Sequence, residues 1–225
     1  MNEKQRPSPQ IVVCANGPYL VSGGLPLSEQ LIVINTQGES LDYEEGKSYE
    51  AAPDYALCRC GRSSNKPFCD GSHVPAGFDG TETARRQPYL EQAEVFEGPT
   101  MLLADAESLC AFVRFCDPKG RIWNLVYKTD DPEARQLVEY QSGHCPGGRL
   151  IAYDRETGES VEPEYQQSLG LIEDTARGVS GPIWVRGSIP VISADGGGYE
   201  IRNQVALCRC GRSSNKPYCD GSHAA

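Results

Sequence analysis

The sequence predicts an α+β protein, rich in short strands and built from two similar units with a mixed α/β segment between them. Residues 58–73 return at 208–223 with a single change. Around both copies, short stretches of Val, Ile, Tyr and Leu are punctuated by Gly, Pro and Asn. Between the copies, the apolar pattern includes helical spacing. We therefore divide the chain into an N-terminal repeat (1–97), a middle segment (98–178) and a C-terminal repeat (179–225).

Length, charge and the N-terminal sequence limit the classes of protein to consider. The chain has 225 residues and a formal charge of −10, which argues against nucleic acid or an anionic membrane as the main partner. Its first apolar run, 11–14, is too short for a signal peptide or a membrane span. Closely spaced free cysteines favour a reducing compartment. We expect a soluble, cytoplasmic protein, or a mitochondrial matrix protein if the source is eukaryotic.

The repeat extends upstream of the duplicated run. Residues 17–26 resemble 181–190, with shared Gly-Pro, Val, Gly and Pro positions. The interval from this stretch to the duplicated run is 32 residues in the first copy and 18 in the second, a difference of 14. The extra residues fall in the acidic stretch 39–50, for which we predict a solvated loop.

Elsewhere, apolar runs and turn residues predict short elements. The predicted strands are 10–14, 18–21, 30–35, 122–127, 150–153, 183–186, 190–193 and 199–207. One helix is predicted to begin at Asp105 and another at residues 130–132. Residues 195–198 predict a hairpin turn. Trp123, Trp184 and Cys14 lie on predicted apolar strands, so we expect them in the core.

Each copy of the duplicated run carries three cysteines and one histidine. These are Cys58, Cys60, Cys69 and His73 in the first copy, and Cys208, Cys210, Cys219 and His223 in the second. Two cysteines that are two residues apart in an extended chain point to the same side, and a Cys and a His four apart share one face of a helical turn. Each pair can hold one iron. Two irons bridged by sulfides form a 2Fe–2S cluster.

Both copies match, at every defined position, the motif Cys-x-Cys-x2-Ser-x3-Pro-x-Cys-Asp-Gly-Ser-His. In this the chain resembles the CDGSH iron–sulfur (NEET) family, as a soluble member with two motifs. The resemblance implies one 2Fe–2S cluster per motif, held by three cysteines and one histidine, below a strand-rich cap. It also implies that one chain supplies both halves of a pair. We therefore expect two 2Fe–2S clusters in a monomer whose two units pack as an intramolecular pseudo-two-fold pair.

A structural zinc site is the main alternative, because three thiols and one imidazole also suit tetrahedral zinc. Zinc sites usually space their cysteines by two to four residues, and Cys-x-Cys strains a single ion. With one histidine ligand, an oxidised 2Fe–2S site carries about −1 rather than −2, so its potential should lie above that of plant-type ferredoxins. Protonation of the histidine would couple electron to proton and labilise the cluster in acid.

We expect electron transfer with a redox partner protein to be the function. The alternative is transfer of the cluster, or of iron, to an apo iron–sulfur acceptor, or redox sensing. We expect no catalytic activity, although the middle segment could serve an enzyme. Six basic residues of the two motifs could stabilise an anionic cluster or only favour solubility. They are Arg59, Arg62, Lys66, Arg209, Arg212 and Lys216.

The middle segment offers a possible third metal site. Cys110, Cys116 and Cys145 again supply three thiols, and His144 adjoins Cys145. The alternatives are a redox-active thiol pair and buried free cysteines.

Overall fold

The computed structural model describes residues 8–224. Within these residues, the strands are β1 (Gln10–Val13), β2 (Tyr19–Ser22), β3 (Leu27–Ile34), β4 (Ser40–Tyr49), β5 (Tyr55–Leu57), β6 (Glu94–Glu97), β7 (Met101–Asp105), β8 (Leu150–Asp154), β9 (Ser168–Asp174), β10 (Val179–Arg186), β11 (Val191–Ile192) and β12 (Gln204–Leu207). The α-helices are α1 (Tyr89–Gln92), α2 (Ile122–Leu125) and α3 (Pro132–Gly143). Short 3-10 turns occupy Glu107–Leu109, Pro118–Gly120, Val126–Lys128 and Ser222–Ala224. The protein is therefore mixed α/β, with strand-rich sheets and few helices.

Two sheets are formed jointly by the two repeats. One has the strand order β11-β1-β2-β5, and the other has β12-β10-β9-β3-β4. In the first sheet, the antiparallel hairpin β1–β2 pairs through β2 with β5, the strand that leads into the first motif. In the second sheet, the antiparallel hairpin β9–β10 pairs through β10 with β12, the strand that leads into the second motif. Strand β11, from the C-terminal repeat, pairs in parallel with β1, and β3, from the N-terminal repeat, pairs in parallel with β9. The first sheet thus contains one strand of the C-terminal repeat, and the second contains two strands, β3 and β4, of the N-terminal repeat.

The two sheets bury one continuous apolar core. Tyr19 and Leu57 from the first sheet and Ile183 and Leu207 from the second are each at most 1% exposed, and they belong to one cluster. Full burial of a large apolar side chain contributes about 1.5–3 kcal/mol. Separating the repeats would expose many such side chains, so the shared core holds the two motifs in one fixed arrangement.

The middle segment adds the sheet β6-β7-β8, with α2 and α3 in contact with each other and α3 in contact with β8. The predictions of a strand at 150–153 and of a helix beginning at 130–132 are confirmed. Helix α3 starts where Asp131 accepts a hydrogen bond from the Glu133 amide, and Ala134 and Val138 face the core. Two further expectations hold, because Trp184 is buried and residues 195–198 form a turn.

Three predicted elements are wrong. The helix from Asp105 is only a 3-10 turn, because Phe112 and Arg114 have left-handed backbones (φ 55° and 65°) that an α-helix cannot contain. The predicted strand at 122–127 is α2 followed by a 3-10 turn, which places half-buried Trp123 on a helix. The predicted loop at 39–50 is largely β4, an edge strand whose partner is β3. Its three acidic side chains, Asp42, Glu44 and Glu45, are exposed, and they explain the loop-like composition.

The predicted division of the chain at 98 and 178 stays a prediction. Strand β9 lies before the second boundary and pairs with both β10 and β3. Residues 1–7 of the N-terminal repeat and residue 225 lie outside the described part. No helix in residues 8–224 has both the length and the apolar character needed to cross a bilayer.

Candidate metal centre

The first motif brings its four candidate ligands together as two pairs. Cys58 and Cys60 follow β5, and their sulfurs lie 3.8 Å apart. Cys69 Sγ lies 3.4 Å from His73 Nδ1. The loop between the pairs closes because the Cys58 amide donates to Pro67 O at 2.8 Å and the Cys69 amide donates to Ala56 O at 2.9 Å. The backbone of the motif therefore fixes both pairs at one end of a strand.

The second motif repeats this geometry after β12. Cys208 Sγ and Cys210 Sγ lie 3.7 Å apart, and Cys219 Sγ lies 3.4 Å from His223 Nδ1. The same two backbone hydrogen bonds close the loop, from Cys208 to Pro217 at 2.9 Å and from Cys219 to Ala206 at 2.8 Å. In both copies, the two cysteines of Cys-x-Cys thus lie together, and so do the cysteine and the histidine four residues apart, as the spacing predicted.

Backbone amides point at the candidate sulfur ligands. Cys60 Sγ accepts from the Arg62 amide at 3.4 Å, and Cys69 Sγ accepts from the Gly71 amide at 3.5 Å. The second motif has the corresponding bonds to Cys210 at 3.5 Å and Cys219 at 3.4 Å. Such donors stabilise thiolates and tune the potential of iron–sulfur sites. The donor set and its supports therefore fit an iron–sulfur group.

The ligands are not arranged around one common point. In the part of the chain that the structure describes, no three or more His, Cys, Asp or Glu side chains are grouped so as to hold a single metal ion. The two-plus-two arrangement of each motif is what a two-iron cluster requires, because each iron takes two protein ligands.

An aspartate organises the turn between Cys69 and His73. Asp70 Oδ2 accepts from the Ser64 amide and hydroxyl at 2.8 and 2.7 Å, and Oδ1 accepts from the Ser72 amide at 3.0 Å. Hydrogen bonds from Ser72 and Ser64 hold the pKa of Asp70 far below its usual value. The predicted helical turn is only a series of hydrogen-bonded turns here, in which Gly71 adopts a left-handed φ of 87°. In the second motif the turn ends in a short 3-10 helix.

The two motifs touch through their middle cysteines. Cys60 and Cys210 form an antiparallel bridge, so ligands of the two sites lie on neighbouring backbones. A Cβ atom on Gly61 would lie 2.7 Å from Cys210 O, and one on Gly211 would lie 2.7 Å from Cys60 O. Both glycines have left-handed backbones. Sequence reasoning missed this contact, although the repetition of the glycine after Cys-x-Cys was a signal for it.

An arginine links each site to the neighbouring strands, and a buried tyrosine of the first repeat contacts the second motif. Arg59, only 1% exposed, donates to Cys14 O at 3.1 Å and to Gly80 O at 2.6 Å. Arg209 correspondingly donates to Ile172 O at 2.8 Å. These arginines support the hairpins beside the sites. Tyr19, from the first repeat, donates to Cys208 O at 2.8 Å and so contacts the second motif. The role of Tyr19 was not evident from the sequence.

Burial makes the second site an unfavourable place for uncompensated charge. It raises the pKa of Cys219 to about 12. The hydrogen bond from Cys208 lowers the pKa of Cys210. Burial and the nearby positive charges of Arg209 and Arg212 lower the pKa of His223. The His223 ring is therefore neutral near pH 7, as a metal ligand must be.

Comparison with known families agrees with this geometry. The family described as "Iron-binding zinc finger CDGSH type" matches residues 16–74 and again 180–224. The chain carries two CDGSH-type iron-binding domains. The matches contain both duplicated runs together with β2 and nearly all of β10, so they cover the sites and one strand of each supporting hairpin. Neither the curated proteins nor the solved structures that were compared with the chain gave a significant match.

The three cysteines of the middle segment lie outside the two candidate ligand sets, although the Cys110 backbone adjoins the second site, where a Cβ atom on Gly221 would lie 3.3 Å from Cys110 O. Cys110, Cys116 and Cys145 line one small cavity, with burial raising the pKa of Cys116 to about 12. His144 turns away from it: its Nδ1 lies 2.8 Å from Tyr140 O and its Nε2 lies 3.4 Å from Asp42 Oδ1. The structure thus does not bring together the four residues of the possible third metal site.

Cys14 differs from its predicted core position. It is only partly buried, and it lies beside the first site rather than within the core. A Cβ atom on Gly17 would lie 3.0 Å from the Cβ of Cys14 and 3.8 Å from His73 Nε2. Burial raises the pKa of the Cys14 thiol, so this neighbour of the histidine stays protonated near pH 7.

Proposed function

We propose that this CDGSH protein holds two 2Fe–2S clusters and transfers electrons to or from a redox partner protein. One cluster is held by Cys58, Cys60, Cys69 and His73, and the other by Cys208, Cys210, Cys219 and His223. The observation that carries the proposal is the pairing of ligands, Cys with Cys at 3.8 and 3.7 Å and Cys with His at 3.4 Å in both motifs. A bound 2Fe–2S cluster supplies reversible one-electron chemistry.

We further propose that the two units form an intramolecular pseudo-two-fold pair. The matching strand orders, the exchange of β3 and β11, and the equal approaches at Gly61 and Gly211 support this arrangement. Because Cys60 and Cys210 are bridged, the two clusters would lie close enough to exchange electrons. The chain would then act as a monomer, doing alone what single-motif relatives do in pairs.

The histidines would make redox chemistry depend on pH. His73 is partly exposed and lines a surface cleft with Val74 and Asn16, so water can reach its ring. A ligand that solvent can protonate couples the electron to a proton and weakens the site in acid. The same lability favours a second function, donation of the cluster or of iron to an apo-protein acceptor.

Metal and sulfide analysis with a visible spectrum tests the first proposal. We expect about four irons and four sulfides per chain, with the absorbance of oxidised 2Fe–2S centres. A colourless protein with stoichiometric zinc would overturn it. Reversible reduction without cluster loss would favour electron transfer, whereas conversion of an apo-ferredoxin to its holo form would favour cluster donation.

A further inference from the structure

A positively charged cleft opens beside Cys210 where the two motifs meet. It has a volume of about 450 Å³ and is lined by residues of both motifs, which include Arg62, Lys66, Arg209, Cys210 and Arg212, together with Ser180 of β10. This concentration of cations is notable in a chain with a net charge of −10. Arg62 and Lys66 are exposed, and no carboxylate within residues 8–224 lies at ion-pair distance from either of them. We call this site the open cleft.

The corresponding groove on the other side of the paired motifs is filled by residues 78–84, which we call the cover segment. This segment has no helix or strand. Arg59, the counterpart of Arg209, donates to Gly80 O at 2.6 Å. At the other end, the amides of Thr83 and Ala84 donate to Lys216 O at 2.8 and 2.9 Å, and Thr83 Oγ1 donates to Ser214 O at 2.6 Å. The cover segment thus runs from Arg59 to Lys216, the counterpart of Lys66.

The cover segment carries an acidic residue, Asp79, directly before Gly80, whose carbonyl accepts from Arg59. Hydrogen bonds from Thr81 lower the pKa of Asp79, and the positive charges of Lys216 and Arg59 lower it further. The carboxylate therefore lies within electrostatic reach of both basic side chains. An extended chain that supplies amide donors and a carboxylate near the basic side chains is thus the occupant that this kind of groove accepts. The second carboxylate of the cover segment, Glu82, instead accepts from Tyr199 Oη at 2.8 Å.

The open cleft offers the same chemistry without that occupant. The carbonyls that correspond to Ser214 O and Lys216 O are those of Ser64 and Lys66, and neither receives a hydrogen bond from residues 8–224. Arg209 is ion-paired with Glu173 at 2.7 Å rather than bound to a covering carbonyl. Free carbonyl acceptors and the two exposed cations therefore remain available to a partner.

We propose that the open cleft binds an extended, acid-bearing segment of a partner protein in the manner of the cover segment. Attraction between opposite charges would orient the partner before contact. If the protein transfers electrons as proposed above, the partner would dock beside Cys210, a ligand of the C-terminal site. The two sites would then differ in their access to partners, although their ligand sets are the same.

A peptide with the sequence of residues 76–84, Ala-Gly-Phe-Asp-Gly-Thr-Glu-Thr-Ala, capped and labelled with a fluorophore, tests the proposal by polarisation against the full chain. We expect Lys66→Gln combined with Arg62→Gln to weaken binding about fivefold or more, since two charge contacts are lost. Raising the salt from about 20 to about 300 mM should weaken wild-type binding too. Lys216→Gln is the matched control in the occupied groove, and Lys128→Gln is a control for net charge. Both should bind the peptide within about twofold of wild type.

Three results would overturn the proposal. They are no binding to wild type, equal binding by the Lys66 and Arg62 double variant, and equal binding of a peptide with Asn in place of its Asp. A loss of binding confined to Lys216→Gln would mean that the peptide displaces the cover segment, and it would also refute the proposal. Visible spectra of the same samples separate the two proposals. A colourless protein that still binds the peptide through Lys66 would refute the cluster function and leave the cleft proposal standing.

Discussion

Substitution of Gly61 by alanine tests whether the close approach of the two motifs is essential. The new Cβ would lie 2.7 Å from Cys210 O and 3.0 Å from the Cys210 carbonyl carbon. These distances are well below the ~3.5–4.0 Å at which two non-bonded heavy atoms attract each other most strongly. The obstacle is backbone on both sides, so no side chain can rotate away. One motif must therefore move relative to the other.

Two separate costs contribute to the expected loss of stability. The left-handed backbone at Gly61 (φ 73°) costs a residue with a side chain about 1–2 kcal/mol. Overpacking against the Cys210 peptide adds about 1–3 kcal/mol. We therefore expect Gly61→Ala to lower the free energy of unfolding by about 2–5 kcal/mol.

Gly38→Ala is the matched control, because Gly38 has a similar φ of 80° and nothing lies within 4 Å of the point that a Cβ atom on it would occupy. We expect Gly38→Ala to lower the free energy of unfolding by only the backbone cost, about 1–2 kcal/mol. Gly211→Ala should behave as Gly61→Ala does, since its approach to Cys60 O has the same 2.7 Å distance. Urea unfolding followed by far-UV circular dichroism gives the comparison. Equal losses for Gly61→Ala and Gly38→Ala would refute the reasoning.

Three further predictions concern the ligands and the buried polar groups. Replacing both His73 and His223 with cysteine should lower the reduction potential, abolish its pH dependence and slow acid-induced cluster loss. Redox titration and visible absorbance measure these changes. Unchanged acid lability would contradict the role given to the histidines. Tyr19→Phe removes the donor from two carbonyls at 2.8 and 3.0 Å and should cost about 1–3 kcal/mol in urea unfolding. Wild-type stability in this variant would show that water replaces the hydroxyl. Arg149→Leu breaks the buried pair with Asp105 (2.6 Å) and should cost about 3–5 kcal/mol. The double variant with Asp105→Leu should recover part of that loss, and no recovery would mean that packing rather than charge dominates.

The pairing of the candidate ligands was predictable because their spacing is a local property. Cys58 and Cys60 pair through a two-residue interval, and Cys69 and His73 pair through four, so the chain itself limits how far apart they can lie. Strand β12, before the second motif, was predicted as part of 199–207 because its apolar residues form a short continuous run, whereas the three-residue strand β5, before the first motif, was not predicted. Residues 122–127 form an equally apolar run but adopt a helix, because packing against the neighbouring helix decides between two locally acceptable conformations.

By itself, the sequence determined the repeat, the spacing of the two candidate ligand sets and the strand-rich character of the protein. The tertiary structure decided how the repeats share their sheets, which brings Cys60 beside Cys210 and Tyr19 onto the second motif. It also decided that residues 78–84 fill one groove between the motifs and leave its counterpart open. The physical reason is the distance along the chain that separates the residues in contact. Spacing along the chain fixes contacts within a few residues, whereas pairing between repeats depends on a core that forms only when distant strands come together.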